Sequence, residues 1–381
     1  MIMIYPSEIT KKWPHRPLSE VVDFLDSKRK PITQKDRVPG PYPYYGANGQ
    51  QDSVADYIFD EPLVLLAEDG GHFGDADKTI AYQVEGKCWV NNHAHVLRPK
   101  KDVDIRYICR HLERYDVTPF ITGSTRGKLT KTAANNIPIA LPPLEEQRRI
   151  AAILDKADGV RRKRQEAIRL TEELLRSTFL EMFGDPVTNP KGWEKIKLGN
   201  LCTIVRGGSP RPINDYLGGS IPWIKIGDAT EGDDIYIHKT AEAIKPDGVK
   251  KSRYLEPGSL IFANCGVSLG FARILKIAGC IHDGWLAFSD LDKSINQIFL
   301  LKLLNSITEH FRAIAPAGTQ PNLNTTIMKN FEIPVPPIDL QEKFAVVSHY
   351  LTDSIQKNSE MFKESENLFN SLLQRAFRGE L

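Results

Sequence analysis

The segment NNHAHV, residues 91–96, carries the residue types that come nearest to a metal site in this chain. His93 and His95 alternate, so both imidazoles would lie on one face of a β-strand. A zinc site needs three or four protein ligands, and no third ligand follows at a suitable spacing. We therefore interpret these histidines as polar recognition residues or as buried hydrogen-bonding residues, and we predict no metal site.

The sequence patterns for a catalytic nucleophile or a bound cofactor are weaker than the pattern for a metal site. Cys265 lies in the glycine-rich string NCGVSLG, but no histidine or acid can be paired with it from the sequence, which favours a structural thiol. The stretch LVLLAEDGGHFGDAD from Leu63 is a strand followed by a glycine turn, without the full GxGxxG spacing or a clear following helix. The chain also lacks a GK[ST] phosphate loop and the Asn/Asp-Pro-Pro-aromatic string of adenine methyltransferases. We predict no catalytic residue and no cofactor bound by this chain.

Composition limits the partners and the compartment. Lys and Arg number 50 against 48 Asp and Glu, so a surface that binds nucleic acid must be local. The five cysteines form no CxxC pair, which fits neither a disulfide framework nor a zinc site and favours a reducing cytosol. No run of about 18 apolar residues occurs. We therefore expect a soluble, cytoplasmic protein that does not bind a membrane.

The elements that must position any site are marked by an internal repeat. Residues 136–183 align with residues 330–377 without a gap, and each copy opens with Pro-Pro-x-x-x-Gln. After this lead each copy is free of proline, and from Leu144 to Phe183 the only helix-weakening residue is Gly159. We predict a helix roughly 60 Å long in each copy.

Apolar residues recur along each predicted helix at spacings of three, four and seven, a stripe typical of one helix lying along another. We therefore predict an antiparallel pair, and packing of each helix only on its own neighbouring domain remains the alternative. The RRKR cluster at residues 161–164 favours a protein-docking or solvated face over a nucleic acid patch. The two stripes are Ile150, Leu154, Ala157, Ile168, Leu175 and Met182, and Phe344, Ser348, Leu351, Phe362, Phe369 and Ala376.

The segments in front of the two helices also correspond, although more loosely. PLVLLAEDGG from Pro62 is similar to GSLIFANCG from Gly258, and both predict a buried strand that enters a glycine turn. Short amphipathic helices are predicted over Ile105–Leu112 and Gln297–Leu304. The string GDPVTNPKGW marks the start of a second domain. The predicted layout is a domain at 1–140, a helical segment at 141–184, a domain at 185–334 and a helical segment at 335–381.

With these strings in this order, nearly the whole chain resembles the specificity subunits of type I restriction-modification systems. The resemblance implies an α+β fold, with two mixed α/β target recognition domains separated by two long helices that form an antiparallel coiled coil. It also implies a non-catalytic subunit in which each domain reads one half of a bipartite, asymmetric DNA site. The strings that carry it are the leads at Pro142 and Pro336, FGDPVTNPKGW from Phe183, IPWIKIGD from Ile221, RAFRGEL from Arg375, RGGSPRP from Arg206 and NCGVSLG from Asn264.

The resemblance further implies double-stranded DNA, two methyltransferase (M) subunits and two restriction/motor (R) subunits as partners. The helices would set the spacer between half-sites and dock the methyltransferase subunits. S-adenosylmethionine, ATP and Mg are expected on the partner subunits. Two alternatives stay open: a protein-binding scaffold or decoy without its own DNA readout, and an autonomous cofactor-dependent enzyme. The two domains differ strongly in sequence, which predicts two unlike half-sites.

DNA contacts are expected from basic and polar residues on loops of both domains, although an exposed lysine is often merely solvated. Tyr44 and Trp223 are more typical of core or turn packing, whereas Asn91 or Asn92 could bind adenine in a bidentate manner. In the first domain the candidates are Lys28, Arg29, Lys30, Arg37, Tyr45, Asn48, Asn91, Asn92, Arg126 and Lys128. In the second domain they are Arg206, Ser209, Arg211, Lys225, Lys250, Lys251 and Arg253.

Overall fold

The computed structural model describes residues 3–123, 127–230, 235–266, 268–316 and 322–381. Packing divides the chain into two compact units. The first unit comprises Met1–Gln165 and Glu360–Leu381, and the second unit comprises Glu166–Ser359. Both boundaries fall inside long helices, so each helix contributes one part to each unit. The domain limits at 1–140 and 185–334 follow the helix ends instead, and they stay a prediction.

The first unit contains two four-stranded sheets and one two-stranded sheet. Its strands are β1 (His15–Pro17), β2 (Val22–Phe24), β3 (Pro39–Gly46), β4 (Gly49–Val54), β5 (Phe59–Asp60), β6 (Leu63–Ala67), β7 (Ala81–Val84), β8 (Lys87–Val90), β9 (Ala94–Pro99) and β10 (Pro138–Ala140). Its helices are α1 (Leu18–Val21), α2 (Ile105–Leu112), α3 (Lys131–Asn135) and the beginning of α4 (Leu144–Phe183), with 3-10 turns at Pro6–Glu8, Asp26–Lys28, Gln34–Asp36 and Thr118–Phe120.

The second unit contains a five-stranded, a four-stranded and a two-stranded sheet. Its strands are β11 (Lys195–Lys197), β12 (Thr203–Arg206), β13 (Leu217–Ile224), β14 (Tyr236–Ile237), β15 (Ala243–Ile244), β16 (Arg253–Leu255), β17 (Leu260–Ala263), β18 (Ala272–Leu275), β19 (Gly279–Ile281), β20 (Trp285–Ser289) and β21 (Glu332–Pro334). Its helices are α5 (Leu198–Leu201), α6 (Pro246–Val249), α7 (Gln297–Ser306), α8 (Thr308–Ile314), α9 (Thr325–Asn330) and the beginning of α10 (Ile338–Phe377), with 3-10 turns at Ile213–Asp215 and Ile226–Ala229.

The two units repeat one sheet topology. The order β2-β9-β6-β7 in the first unit corresponds to β12-β20-β17-β18 in the second, where β14 adds a fifth strand. The order β4-β3-β8-β5 corresponds to β15-β13-β19-β16, and in both sheets the two central strands run parallel. The duplication that the sequence shows in the helices therefore extends to the domains in front of them.

Strands β6 and β17 are the predicted buried strands, and every residue in both is buried. Each lies between two antiparallel neighbours in its sheet, β9 and β7 for β6, and β20 and β18 for β17. A strand that is covered on both faces needs a continuous apolar run, which LVLLA and LIFA supply. The predicted helices over Ile105–Leu112 and Gln297–Leu304 are confirmed as α2 and α7.

The two long helices begin and end at equivalent residues of the repeat, Leu144–Phe183 and Ile338–Phe377, as the sequence predicts for the first copy. Helix α4 ends at Phe183, and the next residue is Gly184, whose φ of 78° is in the left-handed region and whose amide donates to the Leu180 carbonyl at 2.8 Å. A Cβ atom at Gly184 would approach Pro190 to 2.9 Å, so the turn out of the helix requires glycine.

The helices pack against each other in both units. In the first unit Ile150 and Leu154 of α4 share a core with Phe369 and Phe377 of α10. In the second unit Phe179 of α4 meets the ring of Phe344 of α10 at 5.4 Å between centroids. The early part of α4 thus pairs with the late part of α10, and the late part with the early part, which makes the pair antiparallel. The α+β fold class with an antiparallel coiled coil is confirmed.

A buried glutamine in the first turn of each long helix connects the helix to its own unit. The Gln147 amide donates to the carbonyls of Asp102 and Pro142 at 3.2 and 2.9 Å, and its oxygen accepts from the Asp104 amide at 2.9 Å. Gln341 repeats all three bonds in the second unit, with Ser294, Pro336 and Asn296. Asp104 and Asn296 are the N-cap residues of α2 and α7, so each glutamine orients a helix start.

All five cysteines are free thiols. In the parts of the chain that the structure describes, no helix combines the length and the apolar character needed to cross a bilayer.

Candidate nucleic-acid interface

A polar turn of three residues occupies the same place in the topology of both units. In the first unit residues 91–93, Asn-Asn-His, connect β8 to β9, and in the second unit residues 282–284, His-Asp-Gly, connect β19 to β20. In both units the strand before the turn, β8 or β19, belongs to one sheet, and the strand after it, β9 or β20, belongs to another sheet. The backbone therefore brings different side chains to equivalent positions.

The turn of the first unit borders a pocket of about 450 Å³. Asn91 is buried and held at its wall, since its amide nitrogen donates to Gln51 at 3.2 Å and its oxygen accepts from the His93 amide at 2.8 Å. Four predicted residues, Arg37, Asn48, Asn91 and Asn92, come together here although the sequence separates them. The pocket is lined by Pro31, Ile32, Thr33, Arg37, Tyr44, Ala47, Asn48, Gln51, Asp69, Gly70, Asn91, Asn92 and His93.

Arg37 supplies the positive charge of this pocket. Its guanidinium stacks on the Tyr44 ring at 4.2 Å and binds the Asp52 carboxylate at 3.2 Å. Tyr44 is 1% exposed, and its hydroxyl accepts from the Ile32 amide at 3.0 Å, which confirms that this tyrosine packs in the core. Arg37 is thus held in place with its charge only partly neutralised by an exposed carboxylate.

A buried ion network lies behind the turn of the first unit. His95 is fully buried, with Nδ1 2.7 Å from the Asp26 carboxylate and Nε2 2.8 Å from the Leu129 carbonyl. Arg29 binds Glu68 at 2.6 Å and Asp26 at 3.4 Å, and Lys128 reaches Glu68 at 3.1 Å. Burial alone would raise the pKa of Asp26, but His95, the Val96 amide and Arg29 together hold that pKa below its ordinary value.

The network revises two expectations about individual residues. His93 is in the turn and binds Asp69, so it does not share a strand face with His95. Asp26, Glu68 and His95 place ligand atoms within 4.8 Å of one another, a grouping that their sequence separation hid. Since Arg29 and Lys128 already neutralise these carboxylates, we interpret the group as structural. The Arg29 side chain is only 11% exposed, so we assign it a supporting role in place of a direct DNA contact, whereas Lys128 is 47% exposed and stays a candidate contact.

The other predicted residues of the first unit have varied surroundings. Lys28, Lys30, Asn48 and Asn92 are exposed, and Asn48 donates to the Gly70 carbonyl at 3.0 Å. Tyr45 is half-buried with its ring 5.9 Å from that of Tyr82, and burial raises its pKa. Arg126 lies outside the described residues.

In the second unit, basic residues from separate segments surround Asp283 in the polar turn. The Arg206 guanidinium donates to the Asp283 carbonyl at 2.8 Å, and the Ser209 hydroxyl donates to its carboxylate at 2.7 Å. Arg211 lies 3.8 Å from the other carboxylate oxygen. Arg253 donates to the Arg206 carbonyl at 2.9 Å. The predicted string RGGSPRP is therefore brought against a turn that the sequence analysis did not select.

The backbone of the RGGSPRP loop lies in close contact with the backbone of the polar turn. Gly207 faces the His282 carbonyl, and a Cβ atom there would lie 2.2 Å from that oxygen. The Gly208 amide donates to Ile281 at 3.0 Å, and Ser252 donates to the Gly208 carbonyl at 2.6 Å. Only glycine permits the approach at residue 207, which explains the first of the two glycines in the string.

Further cations flank the turn of the second unit. Lys225 binds Glu242 at 2.5 Å and lies 5.7 Å from the Trp223 ring, which itself lies 5.6 Å from the His282 ring. Trp223 is 4% exposed and packs as expected. Lys251 donates to the Tyr216 hydroxyl at 2.5 Å, and Lys250 is exposed.

The charge states at this turn follow from its neighbours. Burial would raise the pKa of Asp283, but the hydrogen bond from Ser209, the contact with His282 and the positive charges of Arg206 and Arg211 lower it overall. Burial lowers the pKa of His282, and Arg211, Lys225 and Arg206 act in the same direction against Asp283. The site thus holds an ionised carboxylate beside a neutral imidazole at neutral pH. Burial also raises the pKa of the neighbouring Cys265 thiol, which argues against an activated nucleophile.

The sequence analysis missed His282, Asp283 and Gln51. The available signal was weak: a polar tripeptide between two apolar strands in each domain. The two tripeptides are recognised as equivalent only from the pairing of β3 with β8 and of β13 with β19.

Comparison with known proteins gives a consistent result. The family model for the type I restriction modification DNA specificity domain matches residues 10–170 and 190–360. A putative type I restriction enzyme specificity subunit of Haemophilus influenzae is 29% identical over 375 residues, covering 94% of each chain. A type I restriction enzyme specificity subunit of Methanocaldococcus jannaschii is 20% identical and covers 96% of this chain and 93% of its own.

Solved structures share the fold. The S subunit of a type I restriction-modification system from M. genitalium superposes with a TM-score of 0.63 at 15% identity over 96% of both chains. A chain from a study of complex assembly and conformational transition of the type I R-M system gives 0.54 at 20% identity, covering 98% of this chain and 99% of its own. The chain therefore belongs to the family of type I restriction-modification specificity subunits, the non-catalytic DNA-recognition components of these systems.

Proposed function

We propose that the two units read two unlike halves of one split, asymmetric DNA site. The observation that carries this proposal is the pair of equivalent polar turns, which have different side chains, Asn-Asn-His and His-Asp-Gly, on the same backbone plan. Base edges in the major groove differ in their donors and acceptors, so different side chains at one position select different bases. The repeated sheet topology supports a common task for the two units, and the different side chains of the two turns support two different base specificities.

Two classes of contact are proposed around each turn. Basic side chains bind phosphates and supply affinity, whereas polar side chains of the turn and its pocket contact base edges. In the first unit the exposed carboxamides of Asn48 and Asn92 suit adenine, which Asn binds through N6 and N7. Asn91 is buried and bound to Gln51 and the His93 amide, so it supports the turn in place of contacting a base. Arg126 is also proposed as a phosphate contact, on the sequence alone, and Ser209 and Tyr45 are proposed to support the contact residues. The other proposed phosphate contacts are Lys28, Lys30, Arg37, Lys128, Arg206, Arg211, Lys225, Lys250, Lys251 and Arg253.

The paired helices are proposed to set the unread spacer between the half-sites. Each has 40 residues, which corresponds to roughly 60 Å, and a duplex turn rises about 34 to 36 Å. A paired helix resists bending far better than a flexible linker, so the number of unread base pairs would be constant.

The helices are also proposed to dock two methyltransferase subunits, with two restriction/motor subunits joining the complex. Both helices carry exposed apolar side chains, and one pair, Leu174 and Leu368, occupies equivalent positions of the repeat; exposed apolar side chains mark protein contacts when they cluster. S-adenosylmethionine, ATP and Mg²⁺ would be bound by the partners, and the complex would act in the cytoplasm. The clustered cations at the turn of the second unit disfavour the alternative of a scaffold or decoy without DNA readout.

Methylation mapping of genomic DNA tests the proposal. Cells that express this chain with its methyltransferase partner should carry methyl groups at one split motif with two different halves and a constant spacer. Cells with the methyltransferase partner alone provide the control. Methylation without any split motif, or with two identical halves, would contradict the proposal.

A further inference from the structure

We propose that Asp283 is a specificity-determining residue of the second half-site, and that its carboxylate accepts a hydrogen bond from the exocyclic amino group of one base. This inference rests on the proposed function, in which the second unit reads a half-site. The amino group belongs to cytosine N4 or adenine N6, and a carboxylate is a suitable acceptor for the former.

The first argument is electrostatic. Asp283 presents a carboxylate, 35% exposed, beside Arg206 and Arg211 on a surface suited to phosphates, and Lys225 lies on the far side of Trp223 and His282. A negative charge at such a surface weakens binding to DNA of every sequence, because it repels the backbone. Its presence is explained if it discriminates between bases, since a carboxylate repels carbonyl acceptors such as guanine O6 and thymine O4.

The second argument is geometric. Ser209 and His282 both bind Oδ1, at 2.7 and 3.0 Å, and fix the orientation of the carboxylate. Oδ2 faces Arg211 at 3.8 Å, longer than a hydrogen bond, and the Arg211 side chain is 75% exposed. Arg211 can therefore turn towards a phosphate and leave Oδ2 as an acceptor for a base.

His282 acts as a positioning residue for this carboxylate. Its Nδ1 accepts from the Gly284 amide at 2.9 Å, so in the neutral ring the proton is on Nε2, which faces Asp283. The ring also contacts Trp223, which is buried. A residue held by a backbone amide and a buried aromatic ring keeps its neighbour in one orientation.

The third argument comes from the equivalence of the turns. Asp283 in the second unit corresponds to Asn92 in the first, because Ile281 and Val90 occupy matching register positions in their sheets. A carboxamide both donates and accepts, whereas an ionised carboxylate only accepts. One backbone position would thus read different base edges in the two half-sites.

The test uses the complete modification complex with Asp283→Asn. Methylation mapping should show that one base pair of one half-site loses its preference, while the other half-site and the spacer remain unchanged. In competition binding with duplexes that vary at this pair, discrimination should fall by roughly 5- to 150-fold. A wild-type preference for cytosine or for adenine identifies which amino group is bound.

Three variants separate base readout from support of the loop. Ser209→Ala removes one of the two groups that orient the carboxylate and keeps its charge, so it should reduce discrimination at the same base pair by a smaller factor than Asp283→Asn does. Glu309→Gln removes an acid from a side chain that is 85% exposed on α8, and it should change nothing. Asn92→Asp, at an exposed position, should alter the other half-site only, and it tests the equivalence even if Asp283→Asn does not assemble.

The outcomes distinguish this inference from the proposed function. If the wild-type complex shows no split motif, the proposed function fails. If the wild-type motif is split but neither Asp283→Asn nor Asn92→Asp changes a base preference, only the inference on the turns is overturned. A uniform loss of binding in Asp283→Asn, with preferences intact, would assign Asp283 a purely structural role.

Discussion

At the scale of single residues, buried polar groups matter most because the presence or absence of hydrogen-bond partners decides what each one contributes to stability. Gln147 and Gln341 have three hydrogen bonds each, whereas His111 is fully buried and neither ring nitrogen has a hydrogen-bond partner within the described residues. His111 lies against the rings of Tyr115 and Phe377 instead, at 5.6 and 4.7 Å. The two glutamines stabilise the fold through their hydrogen bonds, whereas His111 stabilises it only while its ring is uncharged.

Replacement of Gln147 by alanine should destabilise the protein. The substitution leaves the Asp104 amide and the carbonyls of Asp102 and Pro142 without this partner. The bond to Pro142 is buried and the other two are partly buried, and an unsatisfied buried group costs about 1 to 3 kcal/mol. We expect the free energy of unfolding in urea to fall by at least about 2 kcal/mol. Gln165→Ala, at an exposed position of the same helix, is the control and should have little effect. Equal stability of both variants would contradict a role for Gln147 in holding the helix.

His111 should make the protein sensitive to mild acid. Burial lowers its pKa from 6.5 to about 3, so below pH 6.5 the unfolded chain binds a proton that the folded protein does not. Stability is therefore full above pH 6.5 and falls as the pH drops towards 3. Between pH 6.5 and pH 5 the loss due to this residue is about 2 kcal/mol. Urea unfolding of His111→Leu should show a smaller loss over that range, and identical pH slopes for both proteins would refute this account.

At the scale of elements, the long helices have two different surfaces. One carries the stripe that packs the pair together, where Leu154, Phe344 and Phe369 are buried. The other leaves apolar side chains in solvent, including Tyr350, which is 75% exposed. The Arg161–Arg164 cluster is partly bound internally, since Arg161 and Arg162 both contact Asp158 at 2.7 and 2.8 Å. The exposed apolar residues rather than the basic cluster therefore suggest a partner surface.

Charged residues at the exposed apolar positions should weaken partner binding without affecting the fold. Leu174 and Leu368 are identical in the repeat and 51% and 56% exposed. In Leu174→Glu combined with Leu368→Glu, we expect at least tenfold weaker binding of the methyltransferase subunit in a pull-down titration, with the thermal midpoint unchanged. Arg176→Gln, another exposed position of α4, serves as the matched control. Unchanged binding would exclude these leucines from the docking surface.

At the scale of the whole molecule, the proposed role of the helices predicts that the spacer between half-sites changes with helix length. Deletion of residues 162–168 together with residues 356–362 removes about two turns from equivalent places in both helices. The rise that is lost, about 10 Å, corresponds to about three base pairs. Methylation mapping should then show the same two half-sites with a shorter spacer. Deletion from one helix alone should abolish modification because the stripes no longer match, and an unchanged spacer after the double deletion would reject the helices as a ruler.

The sequence by itself determined the elements whose signals are local. Proline leads, a proline-free stretch and a repeating stripe predicted α4 to the residue, and continuous apolar runs predicted β6 and β17. The same local signals separated packing residues from polar ones, so that Tyr44 and Trp223 are buried as expected. These properties depend on backbone conformation and on neighbours within a few residues along the chain.

Only the tertiary structure decided which charges remain available and which turns correspond. Arg29 lies between Lys28 and Lys30, and the local sequence does not distinguish it from them. Asp26 and Glu68 nevertheless neutralise the charge of Arg29, because the pairing of β6 with β9 brings these side chains together. Asp283 became a candidate only when Arg206, Ser209 and Arg211 were found around it. Burial and ion pairing depend on contacts between residues that are distant in sequence, and the local pattern contains no record of them.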